Sequence, residues 1–165
     1  MDEVTARDEQ WFTRLFDAHA VAVHRFVARR ADRSDVEDLT ADVLTVAWRR
    51  RADIPAGAEL PWLYRTAGFV VANHHRKARP TPLAVVPDDG DPETPQWSDG
   101  GDDLRRVMAD LSPRDQRILL LSAWDGLSGD DLAAVLEISR GGAAAALSRA
   151  RTRLQQAWDR VDAAG

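Results

Sequence analysis

Residues 136–154 read LEISRGGAAAALSRARTRL. Ser139 stands where a helix cap belongs, because a serine hydroxyl can accept from a backbone N–H that the first helical turn leaves unpaired. Two glycines and four alanines follow, and then arginines at 149, 151 and 153. Advancing about 100° per residue from Leu147 puts Ala143, Leu147, Ala150, Leu154 and Trp158 on one stripe, the side expected to be buried. Gly142, Ala145, Ala146, Arg149, Arg153 and Arg160 gather on the other side, with Arg151 flanking the core. Upstream, LSGDDLAAVLEIS (127–139) supplies a short helix, a three-residue turn and the Ser139 cap. Short helix, tight turn and longer second helix make the helix-turn-helix layout, whose second helix enters the DNA major groove. The N–H groups at the start of that helix attract phosphate, and small residues there permit close approach. Alanine methyls can touch thymine methyls, and arginines one turn deeper suit phosphate oxygens. An ordinary helical hairpin with a solvated basic face is the alternative reading of the same pattern.

Helical spacing runs through the rest of the chain, and nothing alternates with period two for long. Helices are expected over 9–30, 34–51 and 60–79, and again over 102–110, 112–124, 128–136 and 140–161. Ser34 and Glu37 have the spacing of a capping box. Pro113 falls at the first helical position after Ser112, and Gly126 marks a turn before a cap at Ser128. Between the two sets, RPTPLAVVPDDGDPETPQWSDGGDD (79–103) concentrates proline, glycine and aspartate. Such a segment cannot bury enough apolar surface to offset its ordering entropy, so it reads as a linker. The expected fold is all-α: two small helical domains, 1–79 and 104–165, joined by a flexible acidic linker over 80–103.

The net charge of −5 over 165 residues argues against nucleic acid only until its distribution is read. No acid lies between Glu59 and Asp88, where Arg65, Arg76, Lys77 and Arg79 stand, nor between Glu137 and Asp159. Residues 80–103 hold seven acids and no base, which gives two anion-binding surfaces joined by an acidic tether. There is no cysteine, no phosphate loop, no H-E-x-x-H and no G-x-S-x-G, so neither an enzyme nor a cofactor or metal site is expected. The acidic start MDEVTARDEQ is unlike a signal peptide, and no apolar run approaches a membrane span; a cytoplasmic protein without membrane insertion is expected. On the second helix, Asp35, Asp38 and Asp42 share one face, which is a solvated surface or a set of metal carboxylates. The third helix carries Trp62, Tyr64, Arg65, Phe69, Asn73, His74, His75, Arg76 and Lys77. Aromatics among cations suit unstacked bases and single-stranded backbone, although Trp62 and Phe69, at i and i+7, also have core spacing. The His74–His75 pair reads as surface rather than as a metal site.

DVEDLTADVLTVAWRR (35–50), PWLYRTAGFVVANHHRKAR (61–79) and LSPRDQRILLLSAWDGLSGDDLAAVLEISRGGAAAALSRARTRL (111–154) resemble, in order, regions 2.2, 2.3–2.4 and 4 of the extracytoplasmic-function (group IV) sigma factors. These are the smallest promoter-recognition subunits of bacterial RNA polymerase. The resemblance spans about residues 10–157. It implies docking on the clamp coiled coil of the polymerase core through Asp35, Asp38, Leu39, Asp42, Val43, Trp48 and Arg49, with the flap as a further core contact. It implies a minus-ten surface of Ile54, Trp62, Arg65, Phe69, Asn73, Arg76 and Lys77, with Ile54 and its loop helping to form a pocket for a flipped base. It implies a minus-thirty-five surface of Ser139, Arg140, Gly142, Ala145, Ala146, Arg149 and Arg153. It also implies an anti-sigma partner, and an acidic linker threaded through the positively charged RNA path of the polymerase. Departures from the family pattern are specific. Gly68 and Phe69 stand where Arg-Asn is common, and Arg140, Ala144 and Ala146 stand where Glu, Lys and Arg are frequent. Direct base readout should therefore be thin, with shape and phosphate contacts carrying more. The competing readings are a sigma-like adaptor that has lost promoter reading and a standalone helix-turn-helix regulator.

Overall fold

The computed structural model describes residues 6–78 and 101–165. These residues fall into two compact units divided between Ala78 and Arg79. Among the described residues all regular structure is helical: α1 (Glu9–Ala28), α2 (Val36–Arg49), a 3-10 turn (Arg51–Asp53), α3 (Glu59–Ala78), α4 (Asp102–Ala109), α5 (Pro113–Ala123), α6 (Gly129–Leu136) and α7 (Arg140–Ala164). The expected helices are all present, with each end within three residues of its sequence position. No described helix is long and apolar enough to cross a membrane.

In the first unit, α1, α2 and α3 pack pairwise. Asp8 caps α1 by accepting from the Trp11 N–H at 2.9 Å. Helix α2 buries Val36, Leu39, Val43, Leu44 and Ala47, the i, i+3, i+7, i+8, i+11 spacing of an amphipathic helix. Leu15, Val23, Phe26 and Val27 of α1 and Leu63, Tyr64, Ala67, Val71 and Ala72 of α3 complete the core. Phe26 stacks on Tyr64 with ring centroids 4.9 Å apart, and the fully buried Arg30 guanidinium lies 3.6 Å from the Phe26 ring centre. Arg30 also donates to the Phe26 carbonyl at 3.1 Å, so the buried charge meets an electron-rich face and an acceptor. Arg51 donates to the Arg7 carbonyl (2.7 Å) and the Trp48 carbonyl (2.8 Å), while Arg7 donates to the Arg51 carbonyl. This exchange ties the segment before α1 to the turn after α2.

The capping box of Ser34 and Glu37 does not form. Helix α2 has Asp35 at its N-cap, in helical backbone geometry and with no side-chain cap bond. Instead His74 Nε2 of α3 donates to the Asp35 carboxylate at 3.1 Å, and His75 Nε2 donates to the Arg30 carbonyl at 2.8 Å. An exposed cap contributes about 1 kcal/mol; here packing of α3 across the helix start takes precedence over that local contact. The histidine pair is thus a tie between helices, and no described cluster of three or more metal-ligating side chains exists.

In the second unit, α4, α5 and α6 each pack on α7. Val107, Met108, Leu111, Ile118, Leu119, Ala146, Ala150 and Ala157 form the core, with Leu104, Leu136, Leu147, Leu154 and Val161 partly buried around it. Ser112 caps α5 by accepting from the Asp115 N–H at 3.1 Å, and Pro113 follows at the first position. Helix α4 opens at Asp102, inside the stretch read as linker. Asp102 and Asp103 fill its first turn, where the helix dipole favours acids, and lie 3.9 and 3.8 Å from Arg105 and Arg106. The other linker acids, Asp88, Asp89, Asp91, Glu93 and Asp99, are outside the described residues.

The turn from α6 to α7 passes through Glu137 at φ 55 and ψ 41, the left-handed region that costs a residue with a Cβ about 1–2 kcal/mol. Glu137→Gly relieves that strain and adds glycine's larger entropy loss. The variant is expected to gain about 0.5–1 kcal/mol of stability, read as a higher thermal midpoint. A lower midpoint would mean that contacts of the glutamate outweigh the strain.

Candidate nucleic-acid interface

Helix α7 starts on a working cap: Ser139 Oγ accepts from the Gly142 N–H at 3.0 Å. A Cβ at position 142 would sit 3.0 Å from that Oγ, so glycine there lets the cap close. The buried side of α7 is Ala143, Ala146, Ala150 and Ala157, while Leu147 and Leu154 are only partly covered and Trp158 is exposed. The helix is therefore rotated relative to the stripe expected from Leu147. Alanines allow the neighbouring backbones to come close, so the alanine line faces the centre and the leucines take the seam. Ala146, expected on the DNA side, is a core residue.

Arg153, also expected on the DNA side, is held by a buried acid instead. Its Nη1 donates to both carboxylate oxygens of Asp115 at 3.1 and 2.8 Å, and Asp115 is 4% exposed. That guanidinium braces α7 against α5. Arg140 Nη1 lies 3.8 Å from Asp130 of α6, and Arg151 Nη2 lies 3.5 Å from Ser122 Oγ, in keeping with its flanking position. What remains facing outward over the first three turns is Gly141, Ala144, Ala145, Ser148 and Arg149. Arg149 has no hydrogen-bond or ion-pair partner among the described residues. Ala144 and Ser148 were absent from the expected contact set; the alanine spacing 143, 146, 150, 157 would have placed them there.

On α3 the expected residues largely come together. Trp62, Arg65, Phe69, Asn73 and Arg76 recur at helical spacing along one side. Phe69 is 45% exposed, so its core reading fails, and the Arg65 guanidinium lies 5.7 Å from its ring centre. Arg76 donates to Asn73 Oδ1 at 2.7 Å, and Lys77 is exposed beside them. Trp62 is half-buried, with the Arg50 guanidinium 5.9 Å from its ring centre. Ile54 does not belong to this surface: it is 1% exposed. Its loop turns the apolar side chain into the core of the first unit, so it cannot line an open pocket for a base.

On α2 the acidic side also narrows. Glu37, Asp38, Asp42 and Arg49 are exposed. Leu39 and Val43, expected to assist docking, are core residues, because they lie on the apolar spacing that faces α1 and α3. Asp35 is held by His74. Trp48 packs edge-on against Phe12 at 5.4 Å with the Arg51 guanidinium 4.0 Å from its ring centre.

Two helical units, one bearing a stripe of aromatic and cationic side chains and the other a helix-turn-helix with an outward arginine, have the layout of a two-part DNA-binding protein. Residues 15–81 match the family description "Sigma-70 region 2", and residues 101–154 match "Sigma-70, region 4". The chain belongs to the sigma-70 family, in its extracytoplasmic-function group, and is a sigma factor of transcription initiation. It is 28% identical over 162 residues to the RNA polymerase sigma factor CarQ of Myxococcus xanthus, covering 88% of this chain and 87% of that protein. Two solved structures share its fold. One is CnrH in complex with the cytosolic domain of CnrY (TM-score 0.61, 22% identity, 92% of this chain and 90% of that one). The other is the sigma factor RpoE of Bartonella quintana in complex with the anti-sigma factor NepR (TM-score 0.52, 21% identity, 92% and 96%).

Proposed function

We propose that this sigma factor brings the RNA polymerase core to promoters, using Asp38, Asp42 and Arg49 on α2 to dock on the core. The α3 stripe of Trp62, Arg65, Phe69, Asn73 and Arg76 then holds the melted minus-ten strand, where rings stack on unpaired bases and cations follow the backbone. The outward side of α7 lies in the major groove of the minus-thirty-five duplex. The single observation that carries this reading is Arg149, an outward cation without a described partner on the second helix of the helix-turn-helix. The chain does no chemistry itself; bond formation belongs to the polymerase, and both act in the cytoplasm. RpoE was solved with an anti-sigma factor, and likeness to it supports an anti-sigma protein that holds this chain inactive until released.

Arg149→Ala is expected to weaken binding of the assembled holoenzyme to upstream promoter duplex by about tenfold. It should also relax the preference at the one base pair that Arg149 contacts, with no change in thermal unfolding. Equal affinity and equal base preference for wild type and variant would refute the assigned face.

A further inference from the structure

We propose that this protein reads its upstream promoter element through thymine methyl groups and groove shape, with discriminating hydrogen bonds to base edges confined to Arg149. The inference rests on the reading that the outward side of α7 lies in the major groove.

Strong discrimination between base pairs there comes from arginine or lysine on guanine and from asparagine or glutamine on adenine. Helix α7 has no lysine, asparagine or glutamine before its fourth turn. Its other arginines point elsewhere, Arg153 in a firm ion pair and Arg140 and Arg151 in loose, exposed contacts. Arg153 grips the buried Asp115. Arg140 leans back toward α6, with its Nη1 3.8 Å from Asp130 and its Nη2 3.5 Å from the place where a Gly129 Cβ would stand. Arg151 reaches toward Ser122 on α5. The outward positions that could meet base edges are left with Gly141, Ala144, Ala145, Ser148 and Arg149.

That set has a definite chemistry. The Ala144 and Ala145 methyls offer apolar contact, and the one apolar group on a major-groove edge is the thymine C5 methyl. Ser148 can bond either kind of edge group and so discriminates little. Side chains this short also let the α7 backbone approach the groove floor, which makes binding sensitive to groove width and thus to sequence-dependent shape. Burial of one methyl on another is worth about fourfold in affinity, so several thymines are needed for a useful preference.

The test uses the full chain assembled with the polymerase core. Duplexes randomised upstream of a fixed minus-ten element are selected for binding. Each selected thymine is then replaced by deoxyuridine, which removes only the methyl, and each guanine by 7-deazaguanine, which removes the N7 acceptor. Thymine-rich winners are expected, with about a fourfold loss per contacted methyl and a 7-deazaguanine penalty at no more than one position. In an Ala145→Gly holoenzyme the deoxyuridine penalty should vanish at one position, a result that a general loss of folding would not give. No enrichment, deoxyuridine without effect, or tenfold 7-deazaguanine penalties at two or more positions would overturn the methyl reading and leave the sigma-factor assignment standing. A holoenzyme that ignores every upstream duplex would overturn both.

Discussion

Arg153→Ala is expected to destabilise the second unit by about 2 kcal/mol and to lower its thermal midpoint by about 10 °C. Asp115 is 4% exposed and accepts twice from Arg153. Removing the guanidinium leaves a carboxylate of little exposure without its cation. A fully buried pair broken this way costs about 3–5 kcal/mol; the Arg153 side chain is 54% exposed, so water can reach the orphaned acid and the lower figure applies. Replacing both partners by apolar residues, Asp115→Leu with Arg153→Met, should recover most of the loss, because no charge is then stranded. Circular dichroism melts of the full chain provide the measurement. An unchanged midpoint in Arg153→Ala, or a double variant as unstable as the sum of the single ones, would remove the brace from the description of α7.

Asp38→Arg is expected to weaken binding of the polymerase core by about a hundredfold or more, since a like charge set into a complementary interface costs several kcal/mol. Asp38 is exposed on α2 and makes no core contact, so the variant's melt should match wild type. Leu39, its neighbour in sequence, provides the contrast. Leu39→Ala should also reduce co-purification, but through lost packing, with a stability loss of about 2–4 kcal/mol. Normal recovery of core polymerase with Asp38→Arg would exclude the outer side of α2 as the docking surface.

Helix number and order were legible because apolar spacing, Ser112 with Pro113, and the turn at Gly126 are local signals that tertiary contacts did not override. The α3 stripe was legible for the same reason, since its polar and aromatic residues share one period. The failures all involve choices made by a partner helix. Ser34 and Glu37 have cap spacing, yet His74 draws Asp35 into a contact from a different helix. Leu39, Val43 and Ile54 are apolar residues beside an acidic face or a loop, and only packing decides that they turn inward. Arg153 reads as one more outward cation until Asp115, 38 residues earlier, is seen to be buried beneath it. Ala146 is buried because close helix packing selects the small alanines, whereas the apolar stripe through Leu147 follows the larger residues.

The most direct test of the central claim is run-off transcription by polymerase core, reconstituted with the full chain, on a library of genomic fragments from the source organism. Discrete transcripts that require the chain, and that fade with Arg149→Ala, are the expected result. A chain that binds duplex DNA tightly by itself, yet leaves the core unable to initiate from any fragment, would contradict it.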